Sequence, residues 1–425
     1  MRVLLTGANG FIGAHLAAAL IAAGHRLTGA VRDPAGFRRR FPEAAALAVD
    51  LNRDVSVEAW LKRLDGIDAV VNSAGVLQGA RGQSIEAIHA RAPRALFDAC
   101  ARRGVRRVVQ ISAISADPAA GTAYAVTKHA ADTHLRTLDL DWVVLRPSLV
   151  YAAGSYGGTS LLRALAAMPW RIPVVGAGAQ RFQPIHVADL ARTVLACLES
   201  PVLVRRTLDP VGPETVTLAE LLVALRAWLG FAPAPLLHVP LPVVRLACRV
   251  GDVLGAGPLR TTSLRQIEFG NAGDPAGFIA TVGFTPRRLG DALRDQPAQV
   301  QDRWHARLWP VRPLLSAALI VLWLVSGLVG LATPAERTAA LLAPLGLPAI
   351  LGALASLLDL GLALLIAIGR RPALVGALQL GVIVAYTIVL TVAQPALWLD
   401  PFGPLLKNLP ILAAIGAWMA IAEER

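Results

Sequence analysis

The 425-residue chain has little charge and few aromatic rings: Asp, Glu, Lys and Arg make up 16% of it, and Phe, Trp and Tyr 5%. With a mean hydropathy of +0.54, so little charge excludes a wholly soluble enzyme, and the apolar excess must be local. Cysteine is scarce as well. Cys100, Cys197 and Cys248 are widely spaced, with no CxxC pair, which excludes a disulfide framework and leaves reduced thiols as the expectation. No secretory leader is expected, because MRVLL runs straight into a glycine string and is too short for an apolar leader core. The net charge is +12, yet helix-turn-helix, zinc-finger and aromatic–basic patterns are missing, so no nucleic-acid partner is expected. Beyond residue 310 six basic and five acidic residues leave +1, so +11 lies before it. That sign suits a domain held beside an anionic lipid leaflet.

The chain length allows two or three domains. Residues 1–310 read as ordinary globular sequence, whereas the long uncharged runs lie beyond. At the N-terminus an apolar strand is expected over 2–6, then the string TGANGFIG, then an alanine-rich helix over 12–23. Gly7, Gly10 and Gly13 have the spacing of a dinucleotide turn. The first permits a tight turn, the second lets phosphate approach the backbone, and the third lets helix and strand close up. With Asn9, Phe11 and Ile12 they form the candidate cradle, where the free N–H groups of a helix start would meet a pyrophosphate. The second strand, about 26–31, ends at Arg32. An arginine there suits a ribose 2′-phosphate, so NADP is preferred, although Asp33 next to it could serve NAD. Farther on stand Asp50–Leu51 and a strand, 68–75, that ends in Ala74 and Gly75.

Tyr124 and Lys128 are four residues apart in YAVTK, hence on one face of a helix. An ammonium there would lower the phenol pKa. The phenol could then exchange a proton with a substrate oxygen while a nicotinamide carries hydride. The series resembles the extended or atypical branch of the short-chain dehydrogenase/reductases (epimerase/dehydratase-like) over roughly residues 1–300. Later signposts are LRPSLVY at 145–151, PIHVADLA at 184–191 and GFTPRRLGDAL at 283–293. The resemblance implies that Asp50 and Leu51 cup the adenine, that Ala74 and Gly75 pass beside the cofactor, and that Lys128 also bonds the nicotinamide ribose. It implies a Ser or Thr that polarises the substrate carbonyl. Ser112 is preferred, with Ser115 as competitor. One departure stands out: His89 occupies the place where the family often carries an asparagine, and it reads either as a relay or as a surface residue. His186 and Asp189 read as mostly architectural, with Asp189 capping a helix. No metal ligands are assigned.

Residues 147–310 are expected to supply a substrate lid, with a mobile loop at Gly154, Gly157 and Gly158 near Tyr151 and Tyr156. An apolar, partly helical stretch at 241–254 suits either a lipophilic substrate or packing on a membrane part. Four segments, 313–332, 347–368, 372–393 and 405–422, approach the roughly 20 residues a bilayer requires. Their number and texture resemble the DoxX-like family. Arg303, Arg307, Arg312, Arg370 and Arg371 would face the cytoplasm, with both the N-terminal domain and the C-terminus. Trp309, Trp398 and Trp418 read as interfacial anchors. Asp359, in mid-span, reads as a functional site or as helix–helix glue, with Gln379 and Tyr386 as candidate partners.

The expected architecture is therefore a Rossmann-type doubly wound parallel sheet over 1–146, a lid region over 147–310 and an all-α four-helix membrane bundle over 311–425. The expected protein is a multi-pass inner-membrane NAD(P)-dependent oxidoreductase or epimerase. Its partners would be the bilayer and a lipophilic substrate such as a quinone, isoprenoid or lipid-linked sugar. A homo-oligomer or a membrane redox partner stays open. The competing readings are a non-catalytic nucleotide-binding scaffold or assembly factor, and a transporter-like bundle with Asp359 as its ion site.

Overall fold

Strand β1 (Arg2–Thr6) is apolar at Val3, Leu4 and Leu5, all fully buried, as befits a strand covered on both faces. The computed structural model describes residues 1–79, 82–255 and 257–422, and the chain divides into two compact units, Met1–Ala306 and Arg307–Arg425.

In the first unit β1 is followed by helix α1 (Phe11–Ala22), β2 (Arg26–Val31), α2 (Pro34–Arg40), β3 (Ala45–Ala48), α3 (Glu58–Leu61) and β4 (Ala69–Asn72). Next come α4 (Ala92–Arg103), β5 (Arg107–Ile111), α5 (Ala123–Thr137), β6 (Asp141–Leu145), β7 (Val150–Tyr151) and α6 (Gly158–Ala166). The chain continues through β8 (Ile172–Val175), β9 (Arg181–Phe182), β10 (Ile185–His186), α7 (Val187–Glu199), β11 (Arg206–Leu208), β12 (Val216–Thr217), α8 (Leu218–Trp228) and β13 (Leu236–Val239). The order continues with α9 (Leu241–Leu254), α10 (Thr261–Phe269), α11 (Pro275–Val282), α12 (Leu289–Asp295) and α13 (Val300–Leu308), the last two residues of which fall in the second unit.

Seven strands form one sheet in the order β11-β6-β5-β4-β1-β2-β3, every pair parallel. The chain winds outward in both directions from β1, so the crevice beyond the C-terminal ends of β1 and β4 is the topological switch point. Alternation divides the core. Val3 and Leu5 join Leu16 and Leu20 of α1 and Leu190 and Val194 of α7 on one face. Leu4 joins Trp60, Leu96, Phe97 and Leu135 on the other. The sheet is thus doubly wound. A third core gathers Leu162, Leu221, Leu222, Leu225 and Leu289 from α6, α8 and α12.

The glycine-rich loop expected to be mobile is pinned at its start. The buried Arg163 donates from Nη2 to Ala152 O at 2.6 Å and from Nη1 to Ala153 O at 2.7 Å. Tyr151 belongs to β7 and is itself buried.

The second unit holds α14 (Val311–Ala332), α15 (Ala335–Leu342), α16 (Ile350–Ile368), α17 (Pro372–Ala393) and α18 (Asn408–Ala422). Among the described residues three helices, α14, α16 and α17, are long and apolar enough to cross a membrane. The expected fourth span is shorter: α18 has 15 residues. Pro410 has no N–H and clashes with a carbonyl four residues back, so it fits only in the first turn and stops the helix from reaching back to 405.

Both ends of α18 are fixed within the bundle. Asn408 Nδ2 donates to Thr387 Oγ1 at 2.8 Å, late in α17, and Trp418 Nε1 donates to Ser316 Oγ at 2.9 Å, early in α14. Trp418 is therefore a buried bundle residue rather than an interfacial anchor. Trp398 donates to Thr391 Oγ1 at 3.0 Å. Helices α14 and α16 approach closely because a Cβ on Gly327 or Gly330 would run into Leu360 and Ser356. Asp359 ties three helices, accepting from Ser326 Oγ at 2.6 Å and from Tyr386 Oη at 2.9 Å. Gln379 instead accepts from Trp323 Nε1 at 2.9 Å. Glu423, Glu424 and Arg425 lie outside the described residues.

Candidate functional site

The turn after β1 shows why three glycines stand there. Gly7 has φ +65°, and a Cβ on it would sit 2.8 Å from Ala74 Cα. Gly10 N donates to Gly7 O at 2.8 Å. A Cβ on Gly13 would lie 2.0 Å from Gly7 O, so the first turn of α1 can pack on the loop only without a side chain. No acidic residue occupies that turn, which leaves its N–H groups to an anion. A dinucleotide pyrophosphate fits this cradle. Asn9, Phe11 and Ile12 line the same turn, each partly exposed. Arg32 is exposed just past β2, whereas Asp33 caps α2 by accepting from Gly36 N at 3.0 Å. Asp50 accepts from both the backbone N and Nδ2 of Asn52 at 3.0 Å, and the side-chain bond chiefly holds its carboxyl below the usual range. Leu51 packs on the core beside Trp60.

Thr122 caps α5, its hydroxyl accepting from Ala125 N at 3.1 Å. Tyr124 follows, half-buried, and Lys128 lies one turn on, buried. The ammonium donates to Ile111 O at 2.9 Å and Ala74 O at 3.4 Å, at the C-terminal ends of β5 and β4. A Cβ on Gly75 would lie 3.3 Å from it. Burial brings Lys128 down to about 8, against the pull of Asp132. The phenol is not lowered as expected. Burial pushes Tyr124 up to about 12, with the Asp132 carboxylate adding to the rise.

His89 is neither at the surface nor free to relay a proton. It is 1% exposed, and Nε2 accepts from Val76 N at 2.9 Å. Nδ1 sits 3.2 Å from Thr127 Oγ1, whose own hydrogen goes to Ala123 O at 2.7 Å. Nδ1 must therefore be the protonated nitrogen. Burial, then Lys128, hold His89 well below its ordinary range, hence neutral. Its ring meets that of Tyr124 edge-on with centroids 5.3 Å apart. The histidine joins the loop after β4 to the tyrosine helix.

Sequence reasoning missed Asp132, one turn beyond Lys128 and 1% exposed. A chain of donors ends on it. Thr6 Oγ1 donates to Asn72 Oδ1, Asn72 Nδ2 to Gln110 Oε1 at 2.6 Å, and Gln110 Nε2 to Asp132 Oδ1 at 3.3 Å. Ser112 Oγ donates to Asp132 Oδ2. Ser112 and Ser115 are both buried. The available signal was the four-residue spacing itself, Tyr124–Lys128–Asp132 along one face.

Helix α10 closes the other side. Gln266 Nε2 donates to Thr122 Oγ1 at 2.7 Å, Arg265 Nη1 to Gly121 O at 2.8 Å, and Gln78 Nε2 to Ser263 Oγ at 3.0 Å. His186 stands apart from this group. It caps α7 through Nδ1, while Asp189 accepts from Arg287 N at 3.0 Å.

A parallel sheet with a nucleotide cradle at its switch point and a Tyr–Lys helix beside it defines an NAD(P)-dependent oxidoreductase or epimerase of the short-chain type. Residues 3–207 match the NAD dependent epimerase/dehydratase family, and residues 320–416 match the DoxX-like family. The chain therefore joins an epimerase/dehydratase-family domain to a DoxX-like domain. Among curated proteins it is similar to a ceramide reductase of Caulobacter vibrioides, 27% identical over 251 residues, 59% of this chain and 77% of that one. It is also similar to the 40 kDa subunit of mitochondrial NADH-ubiquinone oxidoreductase of Neurospora crassa, 24% identical over 179 residues. That match covers 40% of this chain and 46% of the subunit, so the chain spans about half that relative's length. Among solved structures, the UDP-glucuronic acid 4-epimerase of Bacillus cereus, with UDP-glucuronic acid and NAD, superposes with TM-score 0.54 at 18% identity, over 73% of this chain and 100% of that one. The Thermus thermophilus UDP-glucose 4-epimerase with NAD gives 0.53 at 20%, over 72% and 99%. At such identities the likeness is one of fold.

Proposed function

We propose that the protein is a membrane-bound NAD(P)-dependent reductase of a carbonyl on a lipophilic molecule. The observation that carries this reading is the Tyr124–Lys128 pair beside a cradle open to a dinucleotide. Gly7, Asn9, Gly10, Phe11, Ile12 and Gly13 would hold the pyrophosphate, Asp50 and Leu51 the adenine, and Ala74, Gly75 and Lys128 the nicotinamide half. The cofactor supplies hydride. A phenol that titrates near 12 stays protonated at neutral pH, so Tyr124 acts as proton donor to the carbonyl oxygen, which favours reduction. Lys128, charged below about 8, stabilises the negative charge as the proton leaves. Ser112 would hold the carbonyl oxygen. Its hydroxyl has one hydrogen, now given to Asp132, so substrate binding requires that hydroxyl to turn.

Arg32 supports NADP, because the neighbouring carboxylate of Asp33 is committed to its cap and Arg38, Arg39 and Arg40 end α2 close by in sequence. The likeness to a ceramide reductase supports a long-chain lipid carbonyl as the substrate class. The arginines near 303–312 and 370–371 support an inner-membrane location with the first unit in the cytoplasm.

The test uses the full chain in detergent with NADPH and long-chain keto-lipids. Tyr124→Phe should lower turnover by about 10²–10⁴-fold while NADPH still binds. Equal turnover would overturn the reading. Arg32→Glu should weaken NADPH binding and spare NADH; unchanged selectivity would remove Arg32 from the cofactor site.

A further inference from the structure

Among the described residues helix α9 packs chiefly on α10; Cys248 and Gly251 are its buried residues, and its opposite side is exposed. That outer side is apolar. Val243, Leu246, Val250, Val253 and Leu254 are 54%, 63%, 50%, 86% and 75% exposed. Their positions fall within one sector of the helix at 100° per residue. Arg245 and Arg249, both exposed, flank that sector on one side, and Arg245 reaches Glu268 at 3.2 Å. A broad apolar stripe with an arginine border is the pattern of a helix that lies in the plane of a membrane surface.

We propose that α9 lies in the headgroup layer of an anionic bilayer, its apolar stripe immersed and Arg245 and Arg249 at the lipid phosphates. Two further observations select lipid over protein as the occupant. Among its described residues the same chain holds three helices long and apolar enough to cross a membrane, which would tether the first unit to a bilayer. The sequence before residue 310 also has a net charge of +11, complementary to anionic headgroups.

The consequence reaches the site through one helix. Helix α9 packs on α10, and α10 bonds the cap of the tyrosine helix through Gln266 and Thr122. Resting on the proposed reductase reading, an immersed α9 brings the lid to the lipid surface, so that a lipid carbonyl could reach Tyr124 without crossing water. The lipid contact itself does not require the reaction.

The experiment labels full-length Leu246→Cys with an environment-sensitive fluorophore, in nanodiscs of phosphatidylcholine with or without phosphatidylglycerol, using nitroxide-bearing lipid as quencher. Cys100, Cys197 and Cys248 are buried, and wild type serves as the labelling control. Val202→Cys, at a position 73% exposed in the turn before β11, is the water-facing reference. The expected result is blue-shifted, lipid-quenched emission at 246 and neither at 202. Quenching should rise with phosphatidylglycerol and lose that rise in Arg245→Gln/Arg249→Gln. Emission at 246 as unshifted and unquenched as at 202 overturns the proposal. A blue shift without lipid quenching also overturns it, since protein, such as a second copy, would then cover the helix. Failure of the chain to enter nanodiscs would refute its membrane character, and loss of turnover alone would bear only on the reductase reading.

Discussion

Lys128 is one of only three lysines among 41 basic residues, and its chemistry explains why arginine does not stand there. The site requires a compact ammonium with three donors, two of them given to Ile111 O and Ala74 O. Its buried position also makes it titrate near 8, which gives two opposite responses to pH. If turnover uses the ammonium as proposed, its rate at saturating NADPH should fall as pH rises through about 8. Folding stability should move the other way. The folded-state pKa is lowered from 10.5, so between about 8 and 10.5 the unfolded chain binds a proton that the folded chain does not. Stability from this group therefore rises with pH across that window. Asp132 raises Lys128, so Asp132→Asn should move the alkaline limb of the rate profile below that of wild type. It should also cost about 1–3 kcal/mol of stability, because the amide keeps one oxygen and turns its NH2 on either Gln110 or Ser112, which then loses its buried acceptor. Rate profiles and thermal melts of both proteins in detergent check this. An unmoved limb would mean that Lys128 does not set it.

At the scale of elements, the strand–turn–helix at the N-terminus is rigid because its parts touch through backbone. Gly13→Ala brings a Cβ to 2.0 Å from Gly7 O, so the turn must shift. NADPH affinity should drop at least tenfold, with about 1–3 kcal/mol lost to overpacking. Gly158→Ala at the start of α6, where among the described residues nothing lies within 4 Å of the added Cβ, should leave both unchanged. Calorimetry and nucleotide titration separate the two variants. The N-terminal turn was readable in the sequence because all its constraints are local: three glycines, one strand and one helix within 22 residues. The placement of Tyr124 and Lys128 one turn apart on a helix was readable for the same reason. Asp132 was not, since its meaning comes from strand register. Asn72 lies opposite Gln110, and only that pairing carries a line of donors to the carboxylate. The role of His89 was hidden likewise, because its two partners, Val76 and Thr127, lie on opposite sides of it in sequence. In the bundle, hydropathy located α18 but overran its start, since composition alone does not register where Pro410 must sit.

For the whole molecule, the side of the membrane on which each loop lies follows from contacts inside the bundle. Helix α18 begins beside Thr387, near the end of α17, and reaches Ser316, near the start of α14. Despite its 15 residues, about 22 Å of helix, it thus returns to the side where α14 begins. The loop 333–349 and the turn at 394–407 then share one side, while Arg370 and Arg371 lie on the other with the start of α14. Arg307, Arg312, Arg370 and Arg371 belong to that second side, whereas Arg337 and Lys407 fall on the first, so the orientation proposed above puts the second, more basic side in the cytoplasm. Single cysteines at the exposed Glu336 and Arg370 and the half-exposed Asp400 should therefore divide cleanly. Glu336→Cys and Asp400→Cys should react with an impermeant maleimide in intact cells, and Arg370→Cys only after permeabilisation. The native thiols stay silent because all three are buried in the first unit. Labelling of Arg370→Cys in intact cells would put the start of α14, and with it the tethered nucleotide site, on the side where cytoplasmic NADPH is absent.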